Sequence, residues 1–381
     1  MKYLVAMDSF KGSLTSLEAG YAVKEAIMEF NNENEVIVKP LADGGEGTMK
    51  ALTDGLGGEL YSTLAKDPLG RYVTCNYGMI EKNTAIIEIA EAAGLTRLSE
   101  DEKNPLYTST YGVGELIIDA YNRGARRFII GLGGSATNDG GVGMLSALGF
   151  SFLDKDNNDI SYGAEGLKEL AYINDANAFK DICGSEFIIA CDVDNPLCGL
   201  EGCSYVFAPQ KGARKEEIEC MDKWLLNYAD IVKKYNKYSN PEAKGSGAAG
   251  GLGFAFLSFF NAKLISGIEL VIKELGITEY IKTSDIVITG EGKLDGQSIM
   301  GKAPIGVSKI AKNYGKKVIA LAGIIGDGVE ACLDYGVSCY SSINDSLSFE
   351  EKHNIEYCMR KDVAINNIKT TVKKLCQQNI L

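Results

Sequence analysis

A single histidine in 381 residues removes one whole class of catalytic chemistry. His353 lies in the polar stretch SFEEKHNIEY and reads as a surface residue, since histidines are commonly exposed or half-exposed. No zinc centre built on several histidines can be assembled, and a surface His353 is a poor base for a triad, so acid–base work is expected to fall to carboxylates and lysines. Basic residues are also in deficit: 39 Lys plus Arg face 51 Asp plus Glu, a formal charge of -12, and no Lys/Arg stripe offsets it locally. Such a surface disfavours nucleic acid as a partner, because binding it requires phosphate neutralisation. Long apolar runs are missing as well. The longest, GLGFAFLSFF at 251–260, is far shorter than a membrane span. The start, MKYLVAMDSF, has only five uncharged residues before Asp8, too few for a signal-peptide core, so it reads as a strand and a cytoplasmic location is expected. The ten cysteines include no CxxC, which argues for reduced, mostly packed thiols over a zinc ribbon or a disulfide framework.

What is present is the composition of a globular protein, 45% hydrophobic and 24% charged, with length enough for two domains. Short β-rich runs alternate with helical patterns, which predicts an α/β fold with substantial parallel sheet. Residues 3–7 form a buried strand and 8–13 a polar loop. Thr15 with Glu18 makes a capping box that opens a helix running to about Phe30. A second strand, 36–41, leads into ADGGEGT and another helix. From 59 to 88 the pattern becomes an antiparallel meander, broken by Pro-Leu-Gly and Lys-Asn turns. The α/β pattern then resumes with helices at 110–122, 139–148 and 214–235, and strands at 127–130 and 187–190. A closing series follows, with strands at 285–289, 317–321 and 337–341 and helices at 304–313, 327–334 and 361–377. The expected architecture is a discontinuous Rossmann- or flavodoxin-like parallel-sheet domain, residues 1–70 plus 280–381, with a mixed α/β domain containing antiparallel strands, 71–279, inserted into it.

In open α/β sheets, ligands bind beyond the carboxyl ends of the strands. Five loops there stand out: DSFKGS (8–13), DGGEGT (43–48), GLGGSATNDGG (131–141), DVDN (192–195) and GEGKLDG (290–296). Glycine lets backbone N–H groups approach an oxyanion, while a helix dipole adds attraction. Carboxylates can hold Mg²⁺ or accept a hydroxyl proton, and lysine can neutralise a transferring phosphoryl group. Taken singly, each loop has an ordinary explanation: Asp8 and Asp43 as helix caps, Asp192 as an Asx-turn residue, Lys293 as a solvated lysine, and GSGAAGGLGFAF (245–256) as a place of close packing. Together they suit phosphoryl transfer.

Two motifs come close to known signatures. Residues 296–303 have GxxxxGK spacing, but Ala303 replaces the Mg²⁺-binding hydroxyl residue and Pro304 follows, so a Walker A loop is rejected. Gly131, Gly133 and Ala136, with Asp154 further on, resemble a dinucleotide fingerprint, although Asn138-Asp139 would place negative charge where pyrophosphate should sit.

The segments DSFKGSLTSLEA, PLADGGEGT, GLGGSATNDGGVGML, CDVDNPLCG with FAPQKGA, GSGAAGGLGFA and ITGEGKLDGQSIMGKAPIGVSKIAK together resemble the bacterial type I glycerate kinase family, in order and across nearly the whole chain. The resemblance implies ATP-dependent phosphorylation of D-glycerate, usually to 2-phosphoglycerate. It also implies two α/β domains with a cleft between the inserted and the discontinuous one.

Joined to the loops, this sets expectations for individual residues. Lys11 and Arg71 would hold the glycerate carboxylate, with Ser9 and Ser13 for its hydroxyls. ATP phosphates would lie over Gly133, Gly134, Ser135, Ala136, Thr137 and Asn138. Asp43, Glu46 or Glu291 would bind Mg²⁺, Asp192 or else Asp295 would accept the hydroxyl proton, and Lys293 would stabilise the phosphoryl group. The expected partners are the small substrate and ATP, with no nucleic acid or membrane, in a monomer or homodimer. Two alternatives stay open: a nicotinamide-dependent oxidoreductase of a small hydroxy acid, and a non-catalytic metabolite-binding protein.

Overall fold

The computed structural model describes residues 1–381, the side chain of Met300 aside. The chain opens with strand β1 (Lys2–Met7), helix α1 (Ser16–Phe30), strand β2 (Glu35–Pro40) and helix α2 (Thr48–Gly55). Apolar β1 is buried on both faces, as a central parallel strand must be. α1 starts where expected, its Thr15 hydroxyl accepting from the Glu18 amide while the Glu18 carboxylate accepts from the Thr15 amide, a box worth about 1 kcal/mol.

The antiparallel meander follows as β3 (Glu59–Lys66), β4 (Tyr72–Ile80) and β5 (Thr84–Glu88). After it come α3 (Ala90–Ala93), α4 (Tyr111–Asn122), β6 (Arg127–Gly131), α5 (Val142–Ala147), a ribbon of β7 (Ser151–Leu153) and β8 (Tyr172–Asn174), and β9 (Glu186–Ala190). Then come α6 (Cys203–Phe207), α7 (Lys215–Tyr235), α8 (Ala248–Phe259) and β10 (Lys263–Ile265). The closing run is α9 (Gly267–Glu274), α10 (Ile277–Thr283), β11 (Ile286–Leu294), α11 (Ala303–Asn313), β12 (Lys317–Ile325), α12 (Ala331–Asp334), β13 (Cys339–Ser342), α13 (Phe349–His353), α14 (Ile355–Met359) and α15 (Lys361–Gln377). The fold is α/β, with two large sheets.

Contacts divide the chain into two compact units. The first comprises Met1–Asp43, Lys50–Leu56 and Ser266–Leu381; the second comprises Gly44–Met49 and Gly57–Ile265. The expected division at 70/71 falls inside a strand pair: β3 joins β4 from Glu59↔Met79 to Lys66↔Tyr72, which places 59–70 in the second unit. At the other end β10 pairs with β9, and the first unit resumes at Ser266.

The first unit holds a five-stranded, wholly parallel sheet of order β13-β12-β11-β1-β2. From β1 the chain winds outward one way to β2, and from β11 the other way to β12 and β13. The loops after β1 and β11 therefore diverge at the switch point where a crevice opens. Expected as a strand-end loop, GEGKL is instead strand: β11 runs on to Leu294 because β12 is equally long and pairs with it through Leu294↔Ile325. The second unit holds a six-stranded mixed sheet of order β10-β9-β6-β5-β4-β3. Among the described residues no helix is long and apolar enough to cross a membrane. All ten cysteines are free.

Candidate active site

In the first unit the register Met7↔Gly290 sets the start of the loop after β1 beside Glu291. The Asp8 amide donates to the Gly290 carbonyl at 2.8 Å, and the Asp8 carboxylate accepts from the Ser9 amide at 2.6 Å. Asp8 is 5% exposed. Burial, reinforced by the charges of Asp43 and Glu291, pushes its pKa up to about 7. Glu291 is raised too, mainly by burial; Lys302 at 3.4 Å and the Ser298 hydroxyl at 2.9 Å partly offset this. Asp295 goes the other way, held below the usual carboxylate range by Lys293 at 2.9 Å.

Asp8, Asp43, Glu291, Lys293 and Lys302 line a chamber of about 330 Å³ with Ser9, Lys11 and Ser13. The Ser13 hydroxyl is buried without a partner, and no side-chain hydrogen bond or ion pair ties Lys11 among the described residues, so both can serve a ligand. Of the expected substrate, metal and phosphoryl residues, Ser9, Lys11, Ser13, Asp43, Glu291 and Lys293 thus share one chamber, with Asp295 bonded to Lys293. Arg71 is placed elsewhere. It sits in the β3–β4 turn of the second unit, its guanidinium held by Asp67 and Glu102, because that turn uses Asp67 to fix its own backbone. A carboxylate anchor needs an uncommitted cation, and Arg71 is committed twice.

In the second unit the glycine-rich loop leaves β6 next to β9 and encloses a cavity of about 210 Å³. Gly133, Gly134 and Ser135 face this cavity; Ala136, Thr137 and Asn138 are fully buried behind them. Gly134 has φ +72°, a conformation that favours glycine. Asp192 lines the same cavity. Beneath the loop lies Lys211, whose ammonium donates to Ser135 Oγ at 2.8 Å and to the Thr137 carbonyl at 2.7 Å. Burial lowers its pKa to about 8, with Cys203 and Asp139 opposing. A buried cation under glycine amides is an oxyanion site in waiting.

Asp139, expected as a charge at the helix start, is fully buried and accepts from the Thr110 amide and hydroxyl and from the Gly141 and Gly143 amides, so it joins the starts of α4 and α5. The small-residue run at 245–256 packs on the loop, a Cβ on Gly250 lying only 2.0 Å from the Thr137 carbonyl oxygen. Glu46 lines another chamber of this unit, with Glu88, Glu91 and Arg97.

Among the described residues no three His, Cys, Asp or Glu side chains form a ready-made metal cage. A divalent cation at Asp43 and Glu291 would find one or two hard carboxylates and would need substrate oxygens to complete its shell, which suits Mg²⁺ on a nucleotide.

A model of the Glycerate kinase family matches residues 3–377. The chain belongs to the glycerate kinase family. It is 42% identical over 350 residues to a glycerate kinase of Halalkalibacterium halodurans, covering 91% of this chain and 92% of that one. It is 40% identical over 348 residues to a glycerate 2-kinase of Escherichia coli K12, covering 91% of each. A crystal structure of a Salmonella typhimurium LT2 protein matches with a TM-score of 0.86 at 39% identity, covering 99% of both chains. A family of kinases makes this chain a phosphotransferase that phosphorylates glycerate, with ATP the implied donor. The nicotinamide-dependent and non-catalytic alternatives fall with that finding. Asp154, which the first of them needed for a ribose, occupies an exposed turn and accepts the amides of Asp156 and Asn158.

Sequence reasoning missed four polar groups at these sites. Asp8 carried a signal, being in a named loop, and Lys302 carried the GK of the rejected P-loop. Lys211 lies in FAPQKGA, which carried only the family resemblance, and Glu88 at a strand end carried nothing that distinguished it from a solvated residue.

Proposed function

We propose that this glycerate kinase transfers the γ-phosphoryl group of MgATP to the 2-hydroxyl of D-glycerate, giving 2-phosphoglycerate. The observation that carries the phosphate role is the buried Lys211 ammonium under the glycine loop, bonded to Ser135 and Thr137. Gly133, Gly134 and Ser135 cradle phosphate oxygens with their amides, while Ala136, Thr137 and Asn138 hold the loop's shape and, through the Thr137 carbonyl, Lys211. Lys11 takes the glycerate carboxylate, with Ser9 and the unpartnered Ser13 hydroxyl for its polar oxygens. Asp43 and Glu291 are the carboxylates suited to Mg²⁺, which when bound neutralises phosphate charge. Asp192 accepts the hydroxyl proton, with Asp295 second, and Lys293 offsets charge on the phosphoryl group. The choice of the 2-hydroxyl is supported by the relative named glycerate 2-kinase.

The test is incubation with MgATP and D-glycerate, following ADP release and the product's phosphorus NMR spectrum. Stoichiometric ADP with a 2-phosphoglycerate resonance is expected. A 3-phosphoglycerate resonance would overturn the regiochemistry, and no ADP release would overturn the reaction.

A further inference from the structure

Gly44–Met49 belongs to the second unit although both its flanks, Asp43 and Lys50, belong to the first. This segment walls the cavity of the glycine loop: Gly44 and Gly45 line it together with Gly133 and Gly134. The approach is backbone to backbone. A Cβ on Gly131 would lie 3.3 Å from the Gly44 carbonyl oxygen, and one on Gly133 would lie 3.2 Å from Gly45 Cα. A wall made of glycine has no side chains of its own to lock it in place. The turn bond within the segment is long, from the Thr48 amide to the Gly45 carbonyl at 3.3 Å.

We propose that Glu88 is the positioning residue that fixes this wall, and so shapes the phosphate cradle without touching substrate. Glu88 ends β5 and is paired with Gly131, the residue from which the glycine loop departs. Its Oε1 accepts the Met49 amide at 2.8 Å, and the carboxylate also accepts the Gly47 amide. Met49 lies in the first turn of α2, where amides have no partner inside the helix and the helix dipole favours an anion. From the end of β5, Glu88 thus holds the Gly47 and Met49 amides. One rigid strand end carries the glycine loop through its backbone and the opposing wall through its side chain. The Glu88–Gly131 pair therefore couples the spacing of loop and wall.

Glu46 and Glu91 also bear on this carboxylate. With Arg97 they line a second chamber that Gly44 and Gly45 also border. A role for Glu88 as a charge that acts directly on a ligand is the competing reading, and glutamine separates the two. The Glu88→Gln side chain keeps an oxygen acceptor for the Met49 amide while removing the charge.

The part of the inference that concerns ATP rests on the phosphate role proposed for the cradle. The experiment measures amide hydrogen exchange at Gly47 and Met49 together with the KM for MgATP and for glycerate in Glu88→Ala and Glu88→Gln. In Glu88→Ala, exchange at both amides should quicken and the KM for MgATP should rise about tenfold, the scale of one lost hydrogen bond. Exchange in β5 and β6 and the KM for glycerate should stay near wild type. Glu88→Gln should restore both readouts. Unchanged exchange in Glu88→Ala overturns the proposal, and so does equal loss of activity in the two variants. If the amides are freed but the KM for glycerate rises instead, Glu88's role stands and the phosphate assignment falls. Should Glu88→Ala fail to fold, Glu88→Gln and the shorter Glu88→Asp carry the test: only Asp should raise the KM, and equal values overturn the proposal.

Discussion

The Lys211 ammonium lies 2.8 Å from Ser135 Oγ, joining residues 76 positions apart in a place where the lysine is 2% exposed. A cation is buried at such cost only where something repays the desolvation, and the two acceptors it has are both uncharged. Asp139 offsets that cost only in part, and a phosphate oxygen would add a charge. Lys211→Ala is expected to lower kcat/KM by about 10²–10³, the range for removing one transition-state donor. Lys211→Arg should not rescue it, because the fork does not fit a site shaped for one nitrogen. With a free-enzyme pKa of about 8, the lysine loses its charge as pH rises through that value, so the KM for MgATP should climb above pH 8. Steady-state kinetics from about pH 6.5 to 9.5, bracketing that value, check this; the same climb in Lys211→Met would refute it.

Asp8 makes a prediction about stability. Burial pushes its carboxyl from the ordinary 3.8 up to about 7 in the folded chain. Between those values the native state binds more protons than the unfolded state, so stability falls as pH rises through this window. The penalty is complete above pH 7 and amounts to a few kcal/mol. Asp8→Asn removes the charge, so it should raise the unfolding midpoint at about pH 8 and leave it nearly unchanged at about pH 4. Mg²⁺ should act in the same direction at the higher pH by screening Asp43 and Glu291. Thermal melts at the two pH values decide the matter, and an Asn variant less stable at the higher one would refute the linkage.

Much of this was legible in the residues because it is local. Thr15 and Glu18 sit three apart, the meander alternates with period two, and carboxylates beside glycine mark strand ends. What stayed hidden depends on distant partners. GEGKL looks like a loop because glycine and charge are poor strand formers, yet β12 supplies a ladder for it. Arg71 looks uncommitted until the turn brings Asp67 and Glu102 to it. Lys211 sits between Gln210 and Gly212, neither of which announces burial; Gly212, at φ +94°, turns the chain tightly there.

The two candidate bases differ in their surroundings. Asp295 is paired with Lys293 at 2.9 Å and held below the usual carboxylate range, which makes it a weak proton acceptor. Asp192 lines the glycine-loop cavity and is exposed. Asp192→Asn is therefore expected to lose about 10²–10⁴ in kcat, the usual contribution of a general base. Asp295→Asn should lose about tenfold, through a Lys293 left without its partner. Kinetics under saturating MgATP test the order, and near wild-type turnover in Asp192→Asn with a collapse in Asp295→Asn would reverse the assignment.

The last prediction concerns the kink in α8, where Ala249, Gly250 and Gly251 all have positive φ. A methyl on Gly250 would lie 2.0 Å from the Thr137 carbonyl oxygen and 2.7 Å from Asn138 Cα, both backbone atoms that cannot swing away. It would also sit at φ +66°. Left-handed strain and overpacking together should cost about 3 kcal/mol or more. Gly184 offers the control, since a methyl there meets nothing within 4 Å and its φ is not left-handed. Urea midpoints should fall sharply for Gly250→Ala and hardly move for Gly184→Ala. Because the displaced carbonyl is the one that holds Lys211, any folded Gly250→Ala protein should also show a raised KM for MgATP. A folded variant with normal KM would mean that the loop can shift without disturbing the lysine, contrary to the rigid cradle described above.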